Sequence, residues 1–248
     1  MTSRVALVTG GGSGIGRAIC VALAEAGHRV AVADIDQRSA AATAESIGSS
    51  ALTVAMDITN GASVTDGVSK VHQEFGAVEI LVNCAGWDEL KPFTATDEEF
   101  WERVIDINFK GMLRTVHACV PHMTEAGWGR IINISSDAAR VGSSMEAVYS
   151  GAKGAVISFT KTIARESARS GVTANVVCPG PTDTPLLDGI IAASDNGEKV
   201  MNAMARAVPM KRVGQPDEVA AAVMFFASDG AGFTTGQTIS VSGGLTMA

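Results

Sequence analysis

Aromatic residues make up only 5% of this 248-residue chain, and tyrosine occurs once, as Tyr149. A core so poor in rings must pack with Val, Ile, Ala and Leu, the residues of sheets buried on both faces. Cysteine is sparse as well. Cys20, Cys84, Cys119 and Cys178 are scattered, with no CxxC pair and no cysteine-histidine cluster at metal spacing, so no metal site or disulfide framework is expected. Four buried thiols in a reducing compartment are the expectation instead. His117 and His122 stand five residues apart, off the register that would place both on one helix face. The chain has no basic run and a net charge of -7, which argues against nucleic acid or an anionic membrane as partner. No apolar run approaches the ~18 residues of a membrane helix, and Val5 to Val8 is too short for a signal peptide. These absences point to a cytoplasmic protein whose partner is a small molecule.

Apolar residues, by contrast, reach 46%, and there are 27 glycines, as in a globular protein with a large core and many tight turns. The apolar run Val5 to Val8 leads into TGGGSGIG from Thr9 to Gly16. Ile15, Ala18, Ile19, Ala22 and Leu23 then recur at helical spacing, and Gly27 is placed to end that helix. Strand, glycine turn and helix in this order make a phosphate cradle: glycines let the backbone approach a pyrophosphate, and the helix N-terminus offers unpaired N–H groups. The turn is longer than the GxGxxG fingerprint. A second strand, Arg29 to Ala33, ends at Asp34, eighteen residues after Gly16. A carboxylate there accepts both ribose hydroxyls of NAD and repels the 2'-phosphate of NADP. Ser13 and Ile35 offer that phosphate no cation, so NAD is the expected cofactor.

The alternation continues with a helix near Gln37 to Ile47, a strand over Ala51 to Met56, a helix from Ala62 to Phe75 and a short apolar run, Val78 to Val82. A long helical pattern spans Thr96 to Thr124, and further strands are expected at Ile131 to Ile134, Val172 to Val177 and Thr238 to Val241. Strands separated by helices imply right-handed crossovers and an α/β architecture: one domain, a doubly wound parallel sheet of about seven strands, helices on both faces. Two stretches break the rhythm, Trp87 to Ala95 and Pro179 to Arg212. Ligands of such sheets bind beyond the carboxyl ends of the strands, which makes residues 181–212 a candidate substrate lid.

Tyr149 and Lys153 lie one helical turn apart and project from the same face, so a phenol and an ammonium can meet one ligand together. A cation near a phenol favours phenolate, which suits it to acid–base work near neutrality.

With these pieces in order, the chain resembles the short-chain dehydrogenase/reductases over nearly its full length. The matching stretches are TGGGSGIG at 9–16, NCAG at 83–86, Asn108 in DIN, Ser136 in NISS, YSGAK at 149–153 and PGPTDT at 179–184. Cys84 departs from the family, which usually has a second asparagine there; a change of packing beneath the cofactor is expected. The resemblance implies a single Rossmann-type domain over residues 1–248. It also implies that Tyr149 takes the proton of an alcohol as hydride leaves the carbon, or returns it to a ketone. Lys153 would bind the nicotinamide ribose hydroxyls and, with oxidised nicotinamide, lower the phenol pKa; Ser136 would hydrogen-bond the reacting oxygen, and Asn108 would hold a water linking Lys153 to solvent. Ser135 points the other way if strand geometry persists. The implied cofactor contacts are Gly10, Ser13, Gly14, Ile15 and Gly16 in the turn and Asp34 at the ribose. Asp57 and Ile58 would meet the adenine, with Asn83, Ala85 and Gly86 on the adenosine and ribose side. Pro179, Gly180, Thr182 and Thr184 would hold the nicotinamide carboxamide and phosphates. A homotetramer is the family expectation.

Within the family, GWDELKPF at 86–93, SDAARVGSSMEAVY at 136–149 and NVVCPGPTDTPLL at 175–187 are similar to dehydrogenases of cyclic β-hydroxyacyl-CoA thioesters such as 2-hydroxycyclohexanecarboxyl-CoA. That likeness makes Trp87, Arg140 and Met145 candidate substrate contacts beside Ser136, with Arg140 available to an anionic or carbonyl group. The rival readings are an NADPH-dependent 3-oxoacyl-acyl-carrier-protein reductase and a sugar, steroid or polyol dehydrogenase. A nucleotide-binding protein without catalysis would be expected to have lost part of the set Asn108, Ser136, Tyr149 and Lys153, and all four are present.

Overall fold

A computed structural model describes residues 2–193 and 197–247. In chain order, β1 (Val5–Thr9), α1 (Gly14–Glu25), β2 (Arg29–Asp34), α2 (Gln37–Ile47), β3 (Ala51–Ala55), α3 (Gly61–Phe75) and β4 (Ile80–Asn83) form the first half. The second half contains α4 (Glu98–Ile105), α5 (Gly111–Ala126), β5 (Gly129–Ile134), the short α6 (Ala138–Val141), α7 (Ala147–Ser167) and β6 (Val172–Pro179). It closes with α8 (Pro185–Ala192), α9 (Gly197–Ala207), α10 (Pro216–Ala227) and β7 (Thr238–Val241). The seven strands make one all-parallel sheet in the order β3-β2-β1-β4-β5-β6-β7. Every expected strand is found, most of them a residue or two longer at one end.

Strand periodicity explains the two cores. Val5 and Leu7 of β1 enter one apolar cluster with Val64, Val71, Val116 and Val156, so α3, α5 and α7 cover that face. Ala6 and Val8 point the other way and meet Ile19, Leu23, Ala40 and Val223 of α1, α2 and α10. With both faces covered, the strands are continuous apolar runs rather than alternating ones.

One buried polar chain ties the layers together. Asn83 Nδ2 donates to Asn133 Oδ1 at 2.8 Å, and Asn133 Nδ2 donates to Thr160 Oγ1 at 2.9 Å. Thr115 Oγ1 donates to Asn83 Oδ1 at 2.6 Å. The chain links β4 and β5 to α5 and α7, and losing one member would strand a buried partner at a cost of about 1–3 kcal/mol. It therefore sets the height at which α7 crosses the sheet.

The long helical pattern expected from Thr96 to Thr124 is interrupted. Between α4 and α5, residues Asp106–Lys110 form a π turn that contains Asn108. Single π turns inside helices are rare and concentrate at functional sites. Period-counting misses this one because the flanking helices keep the same direction.

The strand order reverses between β1 and β4, and there the turn after β1 faces the turn after β4. The two turns are close, since a Cβ built on Gly10 would lie 2.9 Å from the Ala85 backbone, and the first is itself tightly folded, since a Cβ built on Gly16 would collide with the Gly10 carbonyl oxygen. Gly16→Ala should therefore lower the melting midpoint by about 5 °C or more, since backbone cannot yield as a side chain can. Gly151, on α7 with nothing within 4 Å of a built Cβ, is the control. Gly151→Ala should raise the midpoint slightly, as a helical Gly→Ala change does.

Candidate active site

A cavity of about 1080 Å³ opens at the carboxyl ends of the strands, over the point where their order reverses. Gly10, Ser13, Gly14, Ile15 and Gly16 line its floor, and Asp34, Asp57 and Ile58 line one end. Ala85, Gly86, Trp87, Ser136, Tyr149 and Lys153 line the other end, with Pro179, Gly180, Thr182 and Thr184 above. Most of the residues marked in the sequence thus share one wall. Leu186, Leu187 and Ile190 of α8 and Met204 and Ala207 of α9 roof it from the expected lid, whose residues 194–196 lie outside the described ones.

At the first end, Asp34 ends β2 and is held by two backbone amides: Gly12 N–H donates to Oδ2 and Asp36 N–H to Oδ1, both at 3.0 Å. Each oxygen keeps a lone pair for a further donor. Asp57 is partly engaged in its own turn, accepting from the Thr59 amide and hydroxyl at 2.9 and 2.7 Å. The only cationic side chains lining the cavity, among the described residues, are Arg103 and Lys153. Arg103 sits over the Trp87 ring at 3.8 Å, so neither serves the Asp34 end.

At the second end, α7 presents Tyr149 and Lys153 on one face. Lys153 Nζ lies 5.7 Å from the centre of the phenol ring and donates to the Ile134 carbonyl at 3.0 Å. Burial lowers its pKa from 10.5 to about 8. Ser136 stands beside the Tyr149 phenol in the cavity and favours the phenolate. Desolvation wins, with Asp88 and Glu146 adding to it, and the phenol is pushed well above its ordinary value. Lys153 alone therefore does not produce the lowered phenol that its spacing suggested.

Ser135 and Ser136 point apart as strand geometry requires: Ser135 Oγ donates to the Lys153 carbonyl at 2.8 Å, while Ser136 faces the phenol. Asn108 reaches the same corner from the π turn. Its Nδ2 donates to the carbonyls of Trp87 at 2.7 Å and Val104 at 2.9 Å. Asn108 Oδ1 and Lys153 Nζ both converge on Gly86, where a Cβ would come within 3.0 and 3.3 Å of them. Only a residue without a side chain leaves that corner open.

Three expected contacts lie elsewhere. Arg140 does not line the cavity; the short α6 turns it toward β7, where it donates to Ser240 Oγ at 2.8 Å beside buried Asp137. Met145 adopts a left-handed backbone (φ 68°), lends its carbonyl to the Lys91 amide and lines a small neighbouring hollow instead. Asn83 turns its side chain into the buried polar chain rather than the cavity. The four cysteines are free thiols, with Cys84 only half-buried because it lines the cavity beneath Gly86. Sequence reasoning missed Arg103, Asp88 and Glu146, which come from separate elements and share no recognisable spacing.

A glycine cradle fit for a pyrophosphate, a ribose acceptor at one end and an acid–base pair at the other suit one chemistry, hydride exchange between a dinucleotide and an alcohol or ketone. The comparisons agree with that class of oxidoreductase. A family model described as Enoyl-(Acyl carrier protein) reductase matches residues 10–246. The chain is 41% identical over 249 residues to acetoacetyl-CoA reductase of Rhizobium meliloti strain 1021, covering 99% of this chain and 100% of the relative. It is 37% identical to the 3-oxoacyl-acyl-carrier-protein reductase FabG of Vibrio cholerae, covering 100% and 99%. A crystal structure titled ribose-5-phosphate isomerase from Brucella melitensis 16M is similar with a TM-score of 0.91 and 33% identity, over 100% of this chain and 94% of that one. One fold carries many chemistries, so that last likeness speaks for the fold.

The chain belongs to the short-chain dehydrogenase/reductase family, a group of nicotinamide-dependent oxidoreductases, and within it to the β-ketoacyl-acyl-carrier-protein reductase-like members. Among the described residues no group of acids, histidines or cysteines could hold a metal ion, and no helix is long and apolar enough to cross a membrane.

The buried ammonium gives a direct test. The unfolded chain keeps the ordinary lysine value of 10.5, so it holds more protons than the folded one between about pH 8 and 10.5. The folded state gains stability as pH rises through that window and loses it as pH falls through about 8. Chemical denaturation of wild type and Lys153→Met across pH 7–11 should show this gain in wild type alone. Equal pH slopes would mean that Lys153 is not desolvated.

Proposed function

We infer that this protein oxidises the secondary alcohol of a β-hydroxyacyl-CoA with NAD, cyclic thioesters such as 2-hydroxycyclohexanecarboxyl-CoA included, or runs the reverse reduction. The observation that carries the cofactor half of this reading is the Asp34 carboxylate at the ribose end, where no cationic side chain among the described residues lines the cavity to bind a 2'-phosphate. The acyl half is supported by the similarity to the acetoacetyl-CoA reductase of Rhizobium meliloti and by the apolar roof from α8 and α9.

Bound nicotinamide supplies the hydride acceptor or donor and, when oxidised, a positive charge near the phenol. Tyr149 accepts the hydroxyl proton at its phenolic oxygen, or returns it to the ketone in reverse. Ser136 holds the reacting oxygen against the phenol. Lys153 exchanges the Ile134 carbonyl for the nicotinamide ribose hydroxyls, and Asn108 carries the water that links it to solvent. Gly10 to Gly16 cradle the pyrophosphate. Asp57 and Ile58 border the adenine, with the backbone of Asn83, Ala85 and Gly86 beside the adenosine. Pro179, Gly180, Thr182 and Thr184 border the nicotinamide, and Trp87 the acyl group. The segment 181–212 excludes water while substrate is bound. Assembly as a homotetramer in the cytoplasm belongs to the same reading, supported by the exposed rings of Phe225 and Phe233.

The second reading is reduction of a 3-oxoacyl thioester on acyl-carrier protein with NADPH, favoured by the family description and the Vibrio relative. A matrix of both nicotinamide cofactors against β-hydroxyacyl-CoA, acyl-carrier-protein, sugar and steroid substrates separates the readings. NAD with CoA thioesters should exceed NADP by about tenfold or more in kcat/KM, and Asp34→Ala should erase that preference. Tyr149→Phe should lower kcat about 10²- to 10⁴-fold. Turnover confined to NADPH with acyl-carrier-protein thioesters would overturn the first reading.

A further inference from the structure

Behind the phenol lies a second, much smaller hollow, lined by Asp88, Lys91, Phe100, Met145, Glu146 and Tyr149 among others. Asp88 follows Trp87 in the loop after β4, and Glu146 is the residue that caps the start of α7. Asp88 is buried, 6% exposed, and its Oδ2 has no hydrogen-bond donor among the described residues. Glu146 lines the same hollow, and its carboxyl is the charged group that acts most strongly on Asp88. Two ionised carboxylates in contact repel each other, and burial strengthens the repulsion. A proton shared between them turns the repulsion into a hydrogen bond.

The surrounding charges do not relieve the pair. Lys91, the cation nearest in the same hollow, is bound to Glu89 at 2.8 Å and lies 5.0 Å from the Phe100 ring. Arg103 is spent on Trp87. Lys153 acts on Asp88 more weakly than burial and Glu146 do. Glu146 lines both the small hollow and the main cavity, so it connects the buried carboxyl to water.

We propose that Asp88 and Glu146 share one proton at neutral pH, and that its departure through Glu146 places a second negative charge behind Tyr149, opposing ionisation of the phenol. The two are positioning residues that set the charge state of the reacting phenol without touching substrate. Nothing in the hydride transfer requires them; they decide at which pH Tyr149 accepts a proton readily. Burial and Glu146 raise the Asp88 pKa to about 7, so the second charge arrives inside the physiological range. Asp88 and Glu146 are also the charged groups that most raise the phenol.

The test has two arms, the first independent of any substrate. A carboxyl raised in the folded state contributes stability below its unfolded value and loses it as pH rises through the folded one. Denaturant midpoints of wild type and Asp88→Asn should therefore diverge in favour of the variant between about pH 4 and 7 and run parallel above. Glu146→Gln, at a half-exposed position, serves should Asp88→Asn fail to fold; it should move the wild-type change to lower pH. A constant difference at all pH values would overturn the shared proton. The second arm rests on the dehydrogenase reading: the rising limb of kcat/KM for alcohol oxidation should move to lower pH in either variant, by about half a unit or more. An unmoved limb with a lower plateau would reduce the pair to a packing element. If no alcohol is turned over, the proposed substrate fails while the first arm still decides the proton.

Discussion

An ammonium out of water with one carbonyl for company governs the site. Among the described residues Lys153 forms no ion pair, and its ammonium donates to the Ile134 carbonyl at the end of β5. Burying a charge so poorly paired costs stability. The cost falls at the carboxyl ends of the strands, in the wall of the cavity proposed to take the dinucleotide. The same desolvation lifts the Tyr149 phenol above its ordinary value. The free protein thus keeps the phenol protonated.

Everything around the pair holds it in that position. The buried chain from Thr115 through Asn83 and Asn133 to Thr160 fixes α7 against β4 and β5. Ser135 fastens the Lys153 backbone from one side of β5's end, leaving Ser136 free for the phenol on the other. The π turn spends one residue of helical regularity to bring Asn108 to Trp87 and Gly86. Glycine at 86 keeps the corner open. These are costs in local regularity, and they collect where the chemistry is.

Much of this was legible in the sequence because it rests on local rules. Continuous apolar strands, glycine turns and helix periods located all seven strands, their parallel arrangement and the cradle after β1. Tyr149, Lys153 and Asp34 were marked because their spacing carries geometry and Ser136 because of the family resemblance, and all four line one cavity. What escaped depended on where side chains turn after the elements pack. Arg140 stands in a stretch resembling a substrate loop, yet one turn of α6 aims it at Ser240. Asn83 belongs to a cofactor motif, yet it is recruited by Asn133 and Thr115. Asp88 and Glu146, fifty-eight positions apart, meet only because α7 starts beside the loop after β4. The state of the phenol in the free protein escaped as well, because spacing shows a neighbouring cation but not the water that burial removes.

The lone tyrosine makes the central claim measurable. Protein labelled with carbon-13 at the tyrosine Cζ gives one resonance, that of Tyr149, and its position reports ionisation directly. A titration should place the phenol above its ordinary value in the free protein, and saturating NAD should bring the midpoint down by about one pH unit or more, toward neutrality. An ordinary midpoint in the free protein, or one that NAD leaves unmoved, would contradict the account.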